Sequence, residues 1–98
     1  MLQVRLHGLT RKNFEQFRTD LDHAIEASFA GALMTRKWND RTLHTAAPTT
    51  SGVIRYEASG VYAEFHISWP GIPMKEVIIQ ESHRILASAT GSSVTRLA

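Results

Sequence analysis

The residues best suited to chemistry gather in one stretch, Gly52 to Trp69, where Arg55, Glu57, Tyr62, Glu64 and His66 alternate with apolar residues. Side chains two apart along a strand share a face, so this alternation sets all five on one side of two adjoining strands. A carboxylate beside an imidazole is the material of acid–base catalysis, which makes Glu64 and His66 the pair a small-molecule enzyme would use. The same five side chains also form an ordinary polar contact surface with a cross-strand ion pair. The rest of the chain favours that second reading. Arg5 and His7 add to the face and bring it nearer to sheets that stack RNA bases, but no segment has the Lys/Arg-Gly-aromatic signature of those sheets.

A second grouping is Arg36-Lys37-Trp38 with Arg41. An aromatic ring flanked by cations can stack a base of single-stranded nucleic acid. The same residues also suit a helix end, where cations complement the dipole and Trp38 covers the edge of the core. His7, His23, His44, His66 and His83 show neither HxH nor HExxH spacing, and Asp22, His23 and Glu26 read as a solvated helix face. No metal site or cofactor is expected. Ser82 and His83 are adjacent, which on a helix turns them about 100° apart and away from a nucleophile–base contact. Phosphate loops, dinucleotide fingerprints and nucleophile elbows are all missing from the sequence. With no cysteine, disulfides and thiolate chemistry are excluded.

The elements that must position these residues follow from periodicity. Leu2, Val4 and Leu6 alternate with Gln3, Arg5 and His7, which predicts a half-buried strand ended by Gly8. Thr10 stands where a helix N-cap belongs. Phe14, Phe17, Leu21, Ala24, Ile25, Ser28, Phe29 and Ala32 then share one helical face, predicting a helix from about 11 to 30, with Arg18 and Asp22 able to pair at its border. Trp38-Asn39-Asp40 reads as a turn, Arg41 to Thr45 as a possible short strand, and Ala46 to Ser51 as a polar loop broken by Pro48. A hairpin on a Ser59-Gly60 turn comes next. It pairs Ala58 with Val61, Tyr56 with Ala63, Ile54 with Phe65 and Gly52 with Ile67, and it sets Arg55 against Glu64 and Glu57 against Tyr62. Pro70 and Pro73 break the second strand. Residues 73 to 89 fit a second helix ended by Gly91, although Val77-Ile78-Ile79 also suits a strand. Ser93 to Leu97 can add a last strand.

The order is β-α-β-β-α(-β), an α+β class with an antiparallel or mixed sheet and two helices on one face, either ferredoxin-like or a three-stranded variant. The 98 residues suit a single domain over 1–98. The formal charge of +2, with acids interleaved among the basic residues of the first half, permits nucleic-acid contact without arguing for it. No stretch reads as a signal peptide or a membrane span, which predicts a cytoplasmic protein with no membrane partner.

One segment carries a resemblance. Ala47-Pro48-Thr49-Thr50-Ser51-Gly52-Val53-Ile54-Arg55 resembles the P-x-x-[S/T]-G-x-[L/I]-R segment of long-tailed-phage tail-completion (head–tail joining) proteins. In that family the segment follows a long N-terminal helix and opens the sheet. The resemblance implies a virion-associated, non-enzymatic subunit that binds its own kind or a tail component, with Pro48, Gly52 and Arg55 in structural roles. After Glu64 the chain has Phe65-His66, where the family has a Glu-aromatic-Gly-Thr stretch.

The sequence therefore predicts a binding or assembly protein, a dimer or ring or the partner of another protein, working through Arg55, Glu57, Tyr62, Glu64 and His66. The alternatives are a nucleic-acid or regulatory module using Arg36, Lys37, Trp38 and Arg41, and then an enzyme using His66 and Glu64.

Overall fold

The structure is a computed structural model that describes residues 1–28 and 31–97, apart from the side chain of Ala32. Its strands are β1 (Leu2–Gly8), β2 (Thr35–Asn39), β3 (Thr42–Ala46), β4 (Thr50–Glu57), β5 (Gly60–Ile67) and β6 (Val94–Arg96). They form one six-stranded sheet in the order β2-β3-β4-β5-β1-β6, and every neighbouring pair is antiparallel. Helix α1 (Phe14–Glu26) connects β1 to β2, and α2 (Lys75–Thr90) connects β5 to β6. Among the described residues, no helix is long and apolar enough to cross a membrane.

The sheet overturns the expectation of a ferredoxin-like or three-stranded fold: the possible short strand at 41–45 forms as β3, and the residues before it form a further strand, β2. Strand β2 points Arg36 and Trp38 towards the helices, so its half-buried positions lack the apolar alternation that announces a strand. The expected turn at Trp38-Asn39-Asp40 lies further along. Asn39 pairs with Thr42, and Asp40 and Arg41 form the tip. Asp40 has a positive φ of 55°, a conformation that Asp and Asn tolerate better than most residues. The expected polar loop is shorter than its sequence implies. Ala47 and Thr50 exchange both backbone hydrogen bonds, at 2.8 and 3.3 Å, and close β3 directly onto β4.

The β4–β5 hairpin forms in a register two residues from the expected one. Glu57 pairs with Gly60, Tyr56 with Val61, Ile54 with Ala63 and Gly52 with Phe65, around a turn at Ala58-Ser59. A shift of two preserves the faces, so the apolar set still points inward. It does change the cross-strand partners. Arg55 lies opposite Tyr62, Val53 opposite Glu64, and Glu57 opposite neither Tyr62 nor a cation.

Helix α1 starts later and ends earlier than predicted. Asn13 is its N-cap, its side-chain oxygen accepting the Gln16 N–H at 2.9 Å. Thr10 instead accepts the Lys12 N–H and donates to the Thr90 carbonyl at 2.8 Å, tying the start of α1 to the end of α2. Phe17, Leu21, Ala24 and Ile25 are buried as the periodicity requires. Ser28 is buried beyond the helix, while Phe29 and the side chain of Ala32 fall outside the described residues. Burial of Phe17, Leu21 and Ile25 contributes roughly 1.5–3 kcal/mol each before entropy is counted. Residues 77–79 are helical, after a single 3-10 turn at Ile72–Met74, and Gly91 ends α2 in the left-handed region at φ 72°. The optional last strand is present as β6, paired with Leu6–Gly8.

One core joins the helices to the inner sheet face: Val4 and Leu6 from β1, Leu43 from β3, Ile54 from β4, and Val61, Ala63, Phe65 and Ile67 from β5. Both helices therefore cover the same side, and the other side of all six strands is left open.

Candidate functional site

The register builds the outer face in rows that run across the sheet. One row aligns Lys37, His44, Val53, Glu64 and Arg5 on β2, β3, β4, β5 and β1. The next aligns Asn39, Thr42, Arg55, Tyr62, His7 and Thr95, and reaches β6. A third holds Ala46, Ser51, His66 and Gln3. Arg55, Tyr62, Glu64 and His66 thus share the face that their alternation predicts, and Glu57 lies at the same end of β4 as Arg55.

Tyr62 is the centre of this surface. The His7 ring packs against it at a centroid distance of 4.6 Å, and the Arg55 guanidinium carbon lies 6.0 Å from its ring centre. Arg5, Val53, Arg55, Tyr62, Glu64 and Leu97 rim a shallow hollow of about 420 Å3. The carboxylates are engaged by neighbours. Glu64 accepts from the Gln3 amide and lies 4.0 Å from His66 Nε2, and Glu57 lies 3.9 Å from Arg55 Nε. The side chains of Arg5, Lys37 and His44 have no hydrogen bond, ion pair or ring contact among the described residues. The Nε2 atom of His7 is enclosed and likewise has no hydrogen-bond partner there.

Catalysis needs more than this face offers. His66 and Glu64 are more than a third exposed, stand 4.0 Å apart and lie on an open sheet. The hollow takes in Glu64 but not His66. Water therefore reaches both groups, and no wall holds a substrate between them.

The second grouping is divided by the pleat of β2. Arg36 and Trp38 turn towards α1, and Lys37 turns to the open face. Arg36 reaches the Asp22 carboxylate at 3.4 Å, the Asp22 carbonyl at 3.1 Å and Glu26 at 3.1 Å. Trp38 donates its indole N–H to Asp22 at 3.2 Å and meets Phe14 edge-on. Arg18 lies over the Trp38 ring and does not form the expected pair with Asp22, while Arg41 lies over Phe14 and Tyr56. These residues fasten β2 and its tip to α1, and they do not form one stacking surface. Asp22 and Glu26 both pair with Arg36, so these two carboxylates of α1 are engaged within the fold. The described residues contain no group of three His, Asp or Glu placed to hold a metal.

Two carboxyls elsewhere are held below their usual range. Asp20 is lowered first by its hydrogen bond from Lys12 and then by Gln16, and Glu81 by its hydrogen bond from Arg84. Neither belongs to the open face.

Sequence reasoning placed Val53 on this surface, missed His44 and Leu97, and put Lys37 in a different grouping. The signal for Lys37 and His44 is the alternation of β2 and β3, which emerges only once Trp38 and Arg36 are recognised as inward-facing. The Pro48–Arg55 segment forms the β3–β4 turn and most of β4, in the interior of the sheet. A scan against protein-family models finds no match to this chain, and a search of curated proteins finds none either.

Proposed function

We propose that the protein is a non-enzymatic binding module that uses the open sheet face to hold an acidic surface of another protein. One observation carries this reading: the carboxylates of the face are engaged by neighbours, while Arg5 and Lys37 are unpartnered among the described residues. Arg5 and Arg55 stand at the rim of the hollow around Tyr62, and Lys37 extends the positive charge to the far edge. Tyr62 supplies a rigid aromatic anchor, and the cations select the sign of the partner. A second copy would bring the same excess of positive charge to the same place, which disfavours face-to-face pairing. The phage-tail resemblance is compatible with this reading, with a tail component as the partner.

The test is a titration of isotope-labelled protein with poly-L-glutamate, followed by amide chemical shifts at low and high salt. Shifts around Arg5, Arg55, Tyr62 and Lys37 that weaken with salt and vanish in Arg5→Glu/Arg55→Glu support the reading. Shifts confined to other surfaces overturn it. So does tighter, equally salt-sensitive binding of random single-stranded RNA to the same face, which indicates a nucleic-acid module. A dimer by light scattering that Tyr62→Arg dissociates replaces the partner with a second copy.

A further inference from the structure

The inner face of the sheet is not covered along its whole length. Between the first half of α2 and strands β3 to β5 lies a hollow of about 240 Å3, walled by Met34, Phe65, Ile78 and Ile85 with Leu33 and Pro48 at its margin. It abuts a smaller void of about 30 Å3 that shares Met34, Thr45, Phe65 and Ile85 and is closed by Ile25, Ile54 and Leu86. Thr45 thus stands where the hollow meets the core.

Thr45 is buried, and its hydroxyl makes no hydrogen bond among the described residues. The hydroxyl is not sealed in by protein: it borders the hollow, where a ligand's polar atom can take up its free hydrogen bond. Ser82, on the same wall, is already satisfied by the Ile78 carbonyl at 2.8 Å. Among the described lining residues the one charged side chain is Glu81, which is tied to Arg84, a hydrogen bond that lowers its carboxyl. An anionic ligand would meet that carboxylate. The mouth lies at an apolar end of the molecule. Leu33 is 69 % exposed, and Met1, Trp69, Met74 and Val77 are exposed as well. The Ser68 N–H donates to the carbonyl of Thr49 in the wall, which brings Trp69 to the same end. Gly52 sets the shape of the floor. A Cβ there would lie 2.5 Å from Phe65 Cδ1 and 2.8 Å from Thr45 Oγ1, so only glycine leaves both where they are.

We infer that this hollow binds a small uncharged amphiphile, such as a medium-chain alcohol, ketone or alkylphenol, whose single polar group meets the Thr45 hydroxyl while its hydrocarbon lies against Met34, Phe65, Ile78 and Ile85. An apolar pocket with one well-placed polar group is the usual form of a small-molecule site. The site is on the opposite side of the sheet from the protein-binding face and does not depend on it.

The experiment is a titration of isotope-labelled protein with 1-octanol, 4-butylphenol and decanoate. The expected result is saturable shifts at Thr45, Phe65, Ile78 and Ser82 with octanol and butylphenol, none at Arg5 or Tyr62, and weaker binding of decanoate. Thr45→Val should keep the thermal midpoint near that of the parent and weaken octanol at least five-fold, about the value of one hydrogen bond. Ile78→Trp, at a half-buried helix position, should fill the hollow and abolish binding by both neutral probes. Absence of saturable shifts with any probe, including the case of a hollow closed by the chain itself in solution, overturns the inference. Equal octanol affinity in Thr45→Val, or decanoate binding as tight as octanol, overturns the assigned chemistry.

Discussion

The two faces of the sheet differ in how fully they partner their positive charge. On the helix side, Lys12 pairs with Asp20, Arg36 with Asp22 and Glu26, and Arg18 and Arg41 each lie over an aromatic ring. On the open side Arg55 has Glu57 and the Tyr62 ring, but the side chains of Arg5 and Lys37 have no such partner among the described residues. Arg36 and Lys37 are neighbours in sequence, yet one is an internal fastening and the other a free charge. A cation in a strand acquires its role from the face it occupies, and a run of basic residues does not by itself define a patch.

That contrast can be broken by mutation, and the largest effects should fall on the helix side. Phe17→Ala should lower the unfolding free energy by about 3–5 kcal/mol in urea titrations, whereas Tyr62→Ala on the open face should cost far less. If the two losses are similar, the open face is packed in solution. Gly52→Ala comes next. It should cost about 1–3 kcal/mol through overpacking against Phe65, and its neighbour Val53→Ala, whose side chain faces outward, should fall below it. Trp38→Phe removes one hydrogen bond to Asp22, so a loss of about 1 kcal/mol is expected by the same measurement. Lys37→Gln one residue earlier should stay within about 0.5 kcal/mol and act only on partner binding.

The smallest effect is on pH. Asp20 and Glu81 have carboxyls lowered in the folded state, so their contribution is present above the unfolded values of 3.8 and 4.5 and is lost as pH falls through the lowered ones. Both are surface groups, so thermal midpoints should decline only slightly between neutral pH and pH 4 from this source and more steeply below. Asp20→Asn should flatten part of that decline. An equal decline in the variant would assign it to other groups.

Where local pattern alone decided the outcome, the sequence was legible. The faces of the β4–β5 hairpin came out correctly although the register was off by two, because a period of two makes face assignment immune to that error. The end of α2 at Gly91 was legible from the glycine itself, whereas Val77-Ile78-Ile79 suited helix and strand alike and only the structure assigns them to α2. The ends of α1 were harder, since Thr10 and Asn13 are both capping residues and only the three-dimensional link from Thr10 to Thr90 decides between them. Strand β2 was illegible. Its inward positions are polar or charged, and they are stabilised by Asp22 and Glu26 on a helix that no strand pattern reveals. The open face followed suit, legible on β4 and β5 and hidden on β2 and β3.

Strand β1 is the first in the chain and the fifth across the sheet. The meander from β2 to β5 can close by three successive hairpins, each between near neighbours. None of the ladder of β1 can form until Gly60–Ile67 exists, nor can β6 dock until Val94–Arg96 does. Loop closure of that span is slow and must precede the contacts that reward it. During synthesis, Val4, Leu6 and the apolar stripe of α1 therefore wait without a cover, and the meander waits with its inner face bare. The order in which the chain emerges lets β1 pair only after the meander reaches β5, and β6 only after that, so pairing between distant strands turns a set of hairpins into a single cooperative unit.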